Sequence, residues 1–137
     1  MANEELTNLI VEFYDKVSSW EHAVVKDQGV TLEQAHTIET LGSSGALRMK
    51  ELASKMGITT GTLTVNIDKL EKLGYVERVP NKKDRRSILV QLTDDGKKLF
   101  DEHHELHLRL TTEITANLTE DESALVTDIL KKIVASF

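Results

Sequence analysis

The 137-residue chain contains no cysteine. That excludes a disulfide framework and any thiolate metal site, and it fits a reducing cytoplasm. No N-terminal apolar run has the length of a signal or membrane-spanning segment, and Met1 to Glu5 is polar. A cytoplasmic protein without a membrane partner is expected. Internal repeats and low-complexity linkers are missing as well. So is a glycine-rich phosphate loop, since Gly42 to Gly45 is a two-glycine turn, and no serine is set in an activated constellation. The string DEHHELH places His104 after His103, where a zinc metalloprotease needs a glutamate base. These absences argue against an enzyme and against a bound cofactor. With 39% hydrophobic residues, the chain can build one core but not two independent ones, so a single domain over 1–137 is expected.

Positive charge is also in short supply, with a net charge of −6. Taken alone this opposes a nucleic-acid partner, because phosphate neutralisation supplies most non-specific binding. Its distribution answers the objection. Between Arg48 and Lys98 stand 12 basic and 7 acidic residues, a surplus of +5, while the remainder has 5 basic and 16 acidic residues, or −11. A basic segment between acidic flanks would orient its own approach to DNA.

That segment carries the most informative pattern. In MKELASKMGITTGTLTVNIDKLEKLGYVERV, Leu52, Ala53 and Met56 share one helical face, and Gly57 stands where a left-handed residue would end the helix. Ile58 then turns to the core, and Thr59 or Thr60 is placed to cap a second helix. Leu63, Ile67, Leu70 and Leu73 give that helix its apolar face, and Gly74 ends it. At about 100° per residue, Gly61, Thr62, Val65 and Asp68 point the opposite way, with Thr64 and Lys69 on the flanks. An ordinary threonine-rich helix start would read the same. An exposed first turn that is small and uncharged, however, suits insertion into a major groove. There threonine hydroxyls can bond base edges or phosphates, and the methyls of threonine and Val65 can meet thymine methyls.

The period then changes. Tyr75 to Pro80 and Ser87 to Thr93 alternate as paired strands, with Val76 or Val79 and Ile88, Val90 and Leu92 as inward candidates. NKKDRR is the connecting tip, carrying Lys82, Lys83, Arg85 and Arg86 against one acid, Asp84. Such a tip can be a solvated hairpin. Beside a helix-turn-helix it reads as a wing reaching the adjacent minor groove.

Over nearly its whole length, and most densely in GYVERVPNKKDRRSILVQLTDDGKKL, the chain resembles the MarR family of winged-helix transcriptional regulators. The resemblance implies that Asp84 braces Arg86 and that Arg86 is the principal wing contact. The implied DNA-contacting set is Thr59, Thr60, Gly61, Thr62, Thr64, Val65, Lys69, Lys82, Lys83, Arg85 and Arg86. The expected architecture is mainly α with a small β-hairpin wing. A winged helix-turn-helix over 31–96 is inserted between helical dimerisation regions at 1–30 and 97–137. The expected partners are double-stranded DNA and a second copy of the chain, and a two-fold dimer implies a palindromic operator.

Around that segment, Leu6, Ile10, Phe13, Val17, Trp20 and Val24 recur at helical spacing. They form either a core helix or, as the family implies, one paired with a second subunit. Thr31 is placed to cap the next helix, with Ile38 and Leu41 as its apolar side before Gly42 and Gly45 break it. Ala46 to Arg48 can add a very short strand. Thr93 caps a long helix with Leu99, His103, Leu106, Leu110 and Ile114 in one stripe, and Asn117 or Thr119 starts the last helix.

Trp20, His36, His103 and His107 are the candidate effector-pocket residues. His103 and His107 are four apart, the spacing of two ligands on one metal, and with His36 and Glu21 or His22 they outline a conceivable zinc site. The bland reading is hydrogen-bonded core histidines. HTIETLG, ITTGTLT and the histidine pair further resemble MarR-type repressors of bacterial fatty-acid synthesis genes, in which the histidines have no metal role. The expected function is therefore a ligand-responsive, operator-binding repressor, with lipid metabolism genes the targets that the resemblance implies, answering to a small-molecule, acyl or metal effector. A zinc-responsive MarR-type sensor is the alternative, although no metal ligand set is assigned.

Overall fold

The computed structural model describes residues 2–137. Met1, where the expected N-terminal dimerisation region begins, lies outside the described residues. Helix ends leave unpaired backbone groups, and this chain meets most of them locally. Helix α1 (Ala2–Gln28) closes at Gly29, whose N–H donates to Lys26 O, while Val30 N–H reaches back to Val25 O. Thr31 starts α2 (Leu32–Ser44) with a capping box: its hydroxyl oxygen accepts from Gln34 N–H at 3.1 Å, and Gln34 Oε1 accepts from Thr31 N–H at 3.0 Å. Such a cap stabilises a helix by about 1 kcal/mol.

Strand β1 (Leu47–Arg48) leads into α3 (Met49–Met56). Gly57 ends α3 at φ 68°, ψ 30°, a conformation costing a side-chain-bearing residue about 1–2 kcal/mol. Thr59 then caps α4 (Thr60–Lys72), its hydroxyl accepting from Thr62 N–H at 3.2 Å. Strands β2 (Val76–Pro80) and β3 (Ile88–Leu92) follow. The sheet is antiparallel in the order β1-β3-β2, with Leu47 opposite Val90, Val76 opposite Leu92, and Pro80 opposite Ile88. Thr93 caps α5 (Asp94–Ile114) by accepting from Gly96 N–H, while its hydroxyl donates to Gly74 O at 2.6 Å. Thr119, rather than Asn117, opens α6 (Glu120–Val134) with a second capping box through Glu122.

The chain divides into two compact units, 1–100 and 101–137. In the first, Ile38 and Leu41 of α2, Leu52 and Ala53 of α3, Leu63, Ile67 and Leu70 of α4, Val76, Val90 and Leu92 of the sheet, and Leu99 form one buried cluster. Mainly α with a small β wing is therefore the fold, as the periodicities implied. Three local expectations need correction. Gly42 does not break α2, which runs on to Ser44. It is instead a close-contact site, since a Cβ there would collide with the ring of Phe100. Leu73 is 51% exposed, because it is the cap residue of α4 and has left the buried stripe. Ile88 is 54% exposed: it has the same strand parity as buried Val90 and Leu92 but pairs with Pro80 at the distal end of the hairpin, beyond the packed helices.

In the second unit, α6 buries none of its residues. Leu125, Ile129 and Ile133 recur along it with 45% or more of their surface open. Helix α1 leaves a comparable row uncovered in Leu6, Leu9, Ile10 and Phe13.

Candidate nucleic-acid interface

Helix α4 divides cleanly around its axis. Leu63, Ile67 and Leu70 are fully buried, whereas Thr60, Gly61, Thr62, Thr64, Val65 and Lys69 are exposed. The hydroxyls are already partly ordered. Thr59 donates to Thr62 Oγ1 at 3.0 Å, leaving Thr62 its own hydroxyl hydrogen for an outside acceptor. Thr64 turns its hydrogen back to Thr60 O at 2.8 Å and offers only lone pairs outward. Val65, at 55% exposure, adds an apolar spot between them.

The hairpin tip is shaped by short polar bonds. Asn81, buried, accepts from Lys83 N–H through Oδ1 and donates through Nδ2 to Ser87 Oγ at 2.9 Å. Asp84 Oδ1 accepts from Arg86 N–H at 3.0 Å, with Arg86 Nε 3.9 Å from the same oxygen. Asp84 thus acts first on the backbone of Arg86, and the Arg86 side chain remains 96% exposed. Lys82, Lys83 and Arg85 are exposed around it.

Two features that tie α4 to its neighbours were not anticipated. Arg78 of β2 donates to Asp68 Oδ1 at 2.8 Å and to Glu71 Oε1 at 2.5 Å, linking the hairpin to α4. The hydrogen bond to Asp68 and the field of both carboxylates raise the Arg78 pKa above its ordinary value, against a lowering by burial. Asp68 was expected on the outward face and is exposed, yet its carboxylate is committed to this latch. An arginine at the same strand parity as Val76 was the available signal. The second feature is Asn66, buried on the edge of α4, whose Nδ2 donates to Thr37 Oγ1 of α2 at 2.6 Å. Beside α4 a cleft of about 850 Å³ opens, lined among others by Thr62, Val65, Lys69, Lys26 and Thr31. Lys26, absent from the expected contact set, therefore brings a further cation to this surface.

The histidines fall in different places. His36 of α2 is exposed, with Nε2 3.8 Å from Glu21 Oε1 of α1. His22 instead bonds Ser18 O through Nδ1, and Trp20 is half-buried on α1. In α5, His103 is buried and its Nε2 lies 3.1 Å from His107 Nε2.

Comparison with known proteins resolves the class. The sequence model of the MarR family matches residues 30–88, from the start of α2 to the wing. The multiple antibiotic resistance protein MarR of Salmonella typhimurium is 35% identical over 106 residues, covering 77% of this chain and 74% of that protein. The chain belongs to the MarR family. A MarR cysteine-to-serine variant from E. coli, solved with operator DNA, superposes with a TM-score of 0.73 at 30% identity, covering 94% of this chain and 93% of that one. Streptococcus pneumoniae FabT, solved in complex with DNA, gives a TM-score of 0.88 and covers 97% and 95% of the two chains. At 22% identity, that likeness establishes the fold. As a MarR-family winged-helix protein, the chain is a transcriptional regulator rather than an enzyme.

Proposed function

We propose that this regulator binds operator DNA as a two-fold homodimer and represses transcription by occupying a palindrome. The observation that carries the reading is the outward face of the first turns of α4, exposed, small and uncharged, in the same compact unit as the basic hairpin tip. Thr60, Gly61, Thr62, Thr64 and Val65 read the major groove. Thr59 and Lys69 contact the backbone, and Arg86, braced by Asp84, enters the minor groove with Lys82, Lys83 and Arg85 around it. Region 31–96 is the DNA-binding part, and 1–30 with 97–137 the dimerising part. Supporting the dimer are the uncovered apolar rows of α1 and α6, each larger than scattered surface residues would leave. No described helix is long and apolar enough to cross a membrane, and the work of such a regulator is in the cytoplasm.

Regulation acts through spacing. A ligand that prefers one separation of the two recognition helices shifts the dimer toward or away from a fixed palindrome. We assign the response to Trp20 and His36 in the first unit and to His103 and His107 in the second. The likeness of HTIETLG and ITTGTLT to repressors of fatty-acid synthesis genes supports an acyl or other small-molecule effector and lipid-metabolism targets. A zinc-responsive reading has one observation of its own. Two nitrogens at tetrahedral zinc stand about 3.3 Å apart for Zn–N bonds of about 2.0–2.1 Å, close to the 3.1 Å between His103 Nε2 and His107 Nε2.

The test is a mobility-shift selection from fragments of the source genome, followed by the Val65→Glu variant on the selected duplex. Wild type should shift a discrete set of fragments, and the variant should lose them while remaining folded. Equal binding by the variant would remove α4 from the interface. On the same duplex, His103→Ala/His107→Ala with and without zinc separates the effector readings: a zinc dependence lost in the pair variant selects the metal sensor.

A further inference from the structure

The core under α4 is mostly apolar, and Thr37 and Asn66 are among its few buried polar side chains. Thr37 of α2 is completely buried, and Asn66 of α4 is 8% exposed. Thr37 Oγ1 donates to Glu33 O at 3.0 Å and accepts from Asn66 Nδ2 at 2.6 Å; Met56 Sδ of α3 lies 3.5 Å away. The apolar residues of the core cluster, among them Ile38, Leu52, Leu63 and Ile67, make contacts without directional preference. Close packing resists a roll of the helix about its axis, but apolar contacts of this kind do not by themselves select one azimuth from its near neighbours. A hydrogen bond cannot follow that roll, because it weakens steeply outside its distance and angle range.

The consequence appears on the opposite side of the helix. Side-chain tips lie about 5–6 Å from a helix axis, so a roll of about 20° moves them by about 2 Å. That displacement exceeds the whole tolerance of a hydrogen bond to a base edge. We propose that the Asn66–Thr37 bond is a specificity-determining positioning contact. It fixes the azimuth of α4 against α2, so that Gly61, Thr62 and Val65 meet the bases in one register. This rests on the reading that α4 enters the major groove. Thr37 and Asn66 touch no DNA in this scheme; they act through α4. Buried polar groups that confer register rather than stability are known devices in helical assemblies.

The experiment replaces both partners with apolar side chains of similar size, Thr37→Val with Asn66→Leu, in the full-length protein. Removing both partners of a buried bond leaves no orphaned group, so the melting temperature should stay the same or rise. Binding to a selected operator and to a scrambled duplex of equal length is then measured at one salt concentration. Scrambled-duplex affinity should stay within twofold of wild type, while the operator-to-scrambled ratio falls at least tenfold. Thr37→Ser, which keeps the hydroxyl, should retain the ratio, and Thr37→Val alone should lose it; this comparison decides the matter if the pair variant does not fold. A folded pair variant, or Thr37→Val, that discriminates as well as wild type overturns the proposal. If wild type itself shows no operator preference, the major-groove reading of α4 fails instead.

Discussion

Arg78 offers the sharpest perturbation of the DNA-binding unit as a whole. Its guanidinium is bonded to two carboxylates three residues apart on α4, Asp68 and Glu71, so the hairpin and the helix move together. The Arg78 side chain is 27% exposed, while the carboxylates are 55% and 40% exposed. Solvent screening limits each such pair to about 0.2–1 kcal/mol, giving about 1 kcal/mol for the fork. In a chain of this size that corresponds to a fall of about 3 °C in melting temperature. Arg78→Met keeps most of the aliphatic stem and removes the fork. Arg78→Lys keeps the charge but presents a point cation in place of the fork. Thermal melts of both, at low and high salt, should rank wild type above lysine above methionine. The differences should shrink as salt shortens the screening length from about 10 Å at 0.1 M to about 3 Å at 1 M. A double-mutant cycle of Arg78→Met with Asp68→Asn should give a coupling of about 0.5 kcal/mol or more. Zero coupling at low salt would refute the latch, and equal operator binding by all three proteins would refute its mechanical role.

Other perturbations address single parts. Arg86→Ala should cost about 1–3 kcal/mol of operator binding without lowering the melting temperature, measured by fluorescence anisotropy; unchanged affinity would reject the wing contact. Ile10→Glu or Ile129→Glu places a charge in an uncovered apolar row and should shift the protein to monomers in light scattering. Gly42→Val should destabilise by about 1–3 kcal/mol through collision with Phe100, and adding Phe100→Ala should recover part of that loss in chemical denaturation. Glu122 is held below its ordinary value of 4.5 first by the Thr119 backbone N–H and then by the Thr119 side chain. Because the folded-state pKa is depressed, its cap on α6 is present above the ordinary value and lost as pH falls through the lowered one. A carbon-detected NMR titration should show that low midpoint, and Thr119→Ala, which keeps the backbone N–H that lowers it most, should return it only part of the way toward 4.5.

What the sequence made legible is what local chemistry determines. Gly57, Thr31, Thr93 and the strand alternation around NKKDRR each specify a cap, a turn or a register within a few residues, and each element formed where its signal lay. The outward face of α4 followed from Leu63 and Ile67 by rotation alone. Features requiring distant partners were hidden. Arg78 reads as one more strand cation until Asp68 and Glu71 come alongside it. Asn66 went unremarked because its partner, Thr37, lies 29 positions earlier. Gly42 looked like a helix breaker because nothing nearby in sequence announces the Phe100 ring. Ile88 obeyed the period but lay beyond the end of the core. Periodicity gives a direction around an axis, whereas burial also depends on what stands opposite.

The most direct measurement of the central claim is a hydroxyl-radical footprint of the protein on a duplex selected from its source genome, run beside Arg86→Ala. Two protected half-sites related by a two-fold axis, about one helical turn apart, are expected, each with flanking minor-groove protection that Arg86→Ala removes. A single protected site without symmetry, or a pattern that Arg86→Ala leaves unchanged, would contradict a dimer reading DNA with α4 and its wing.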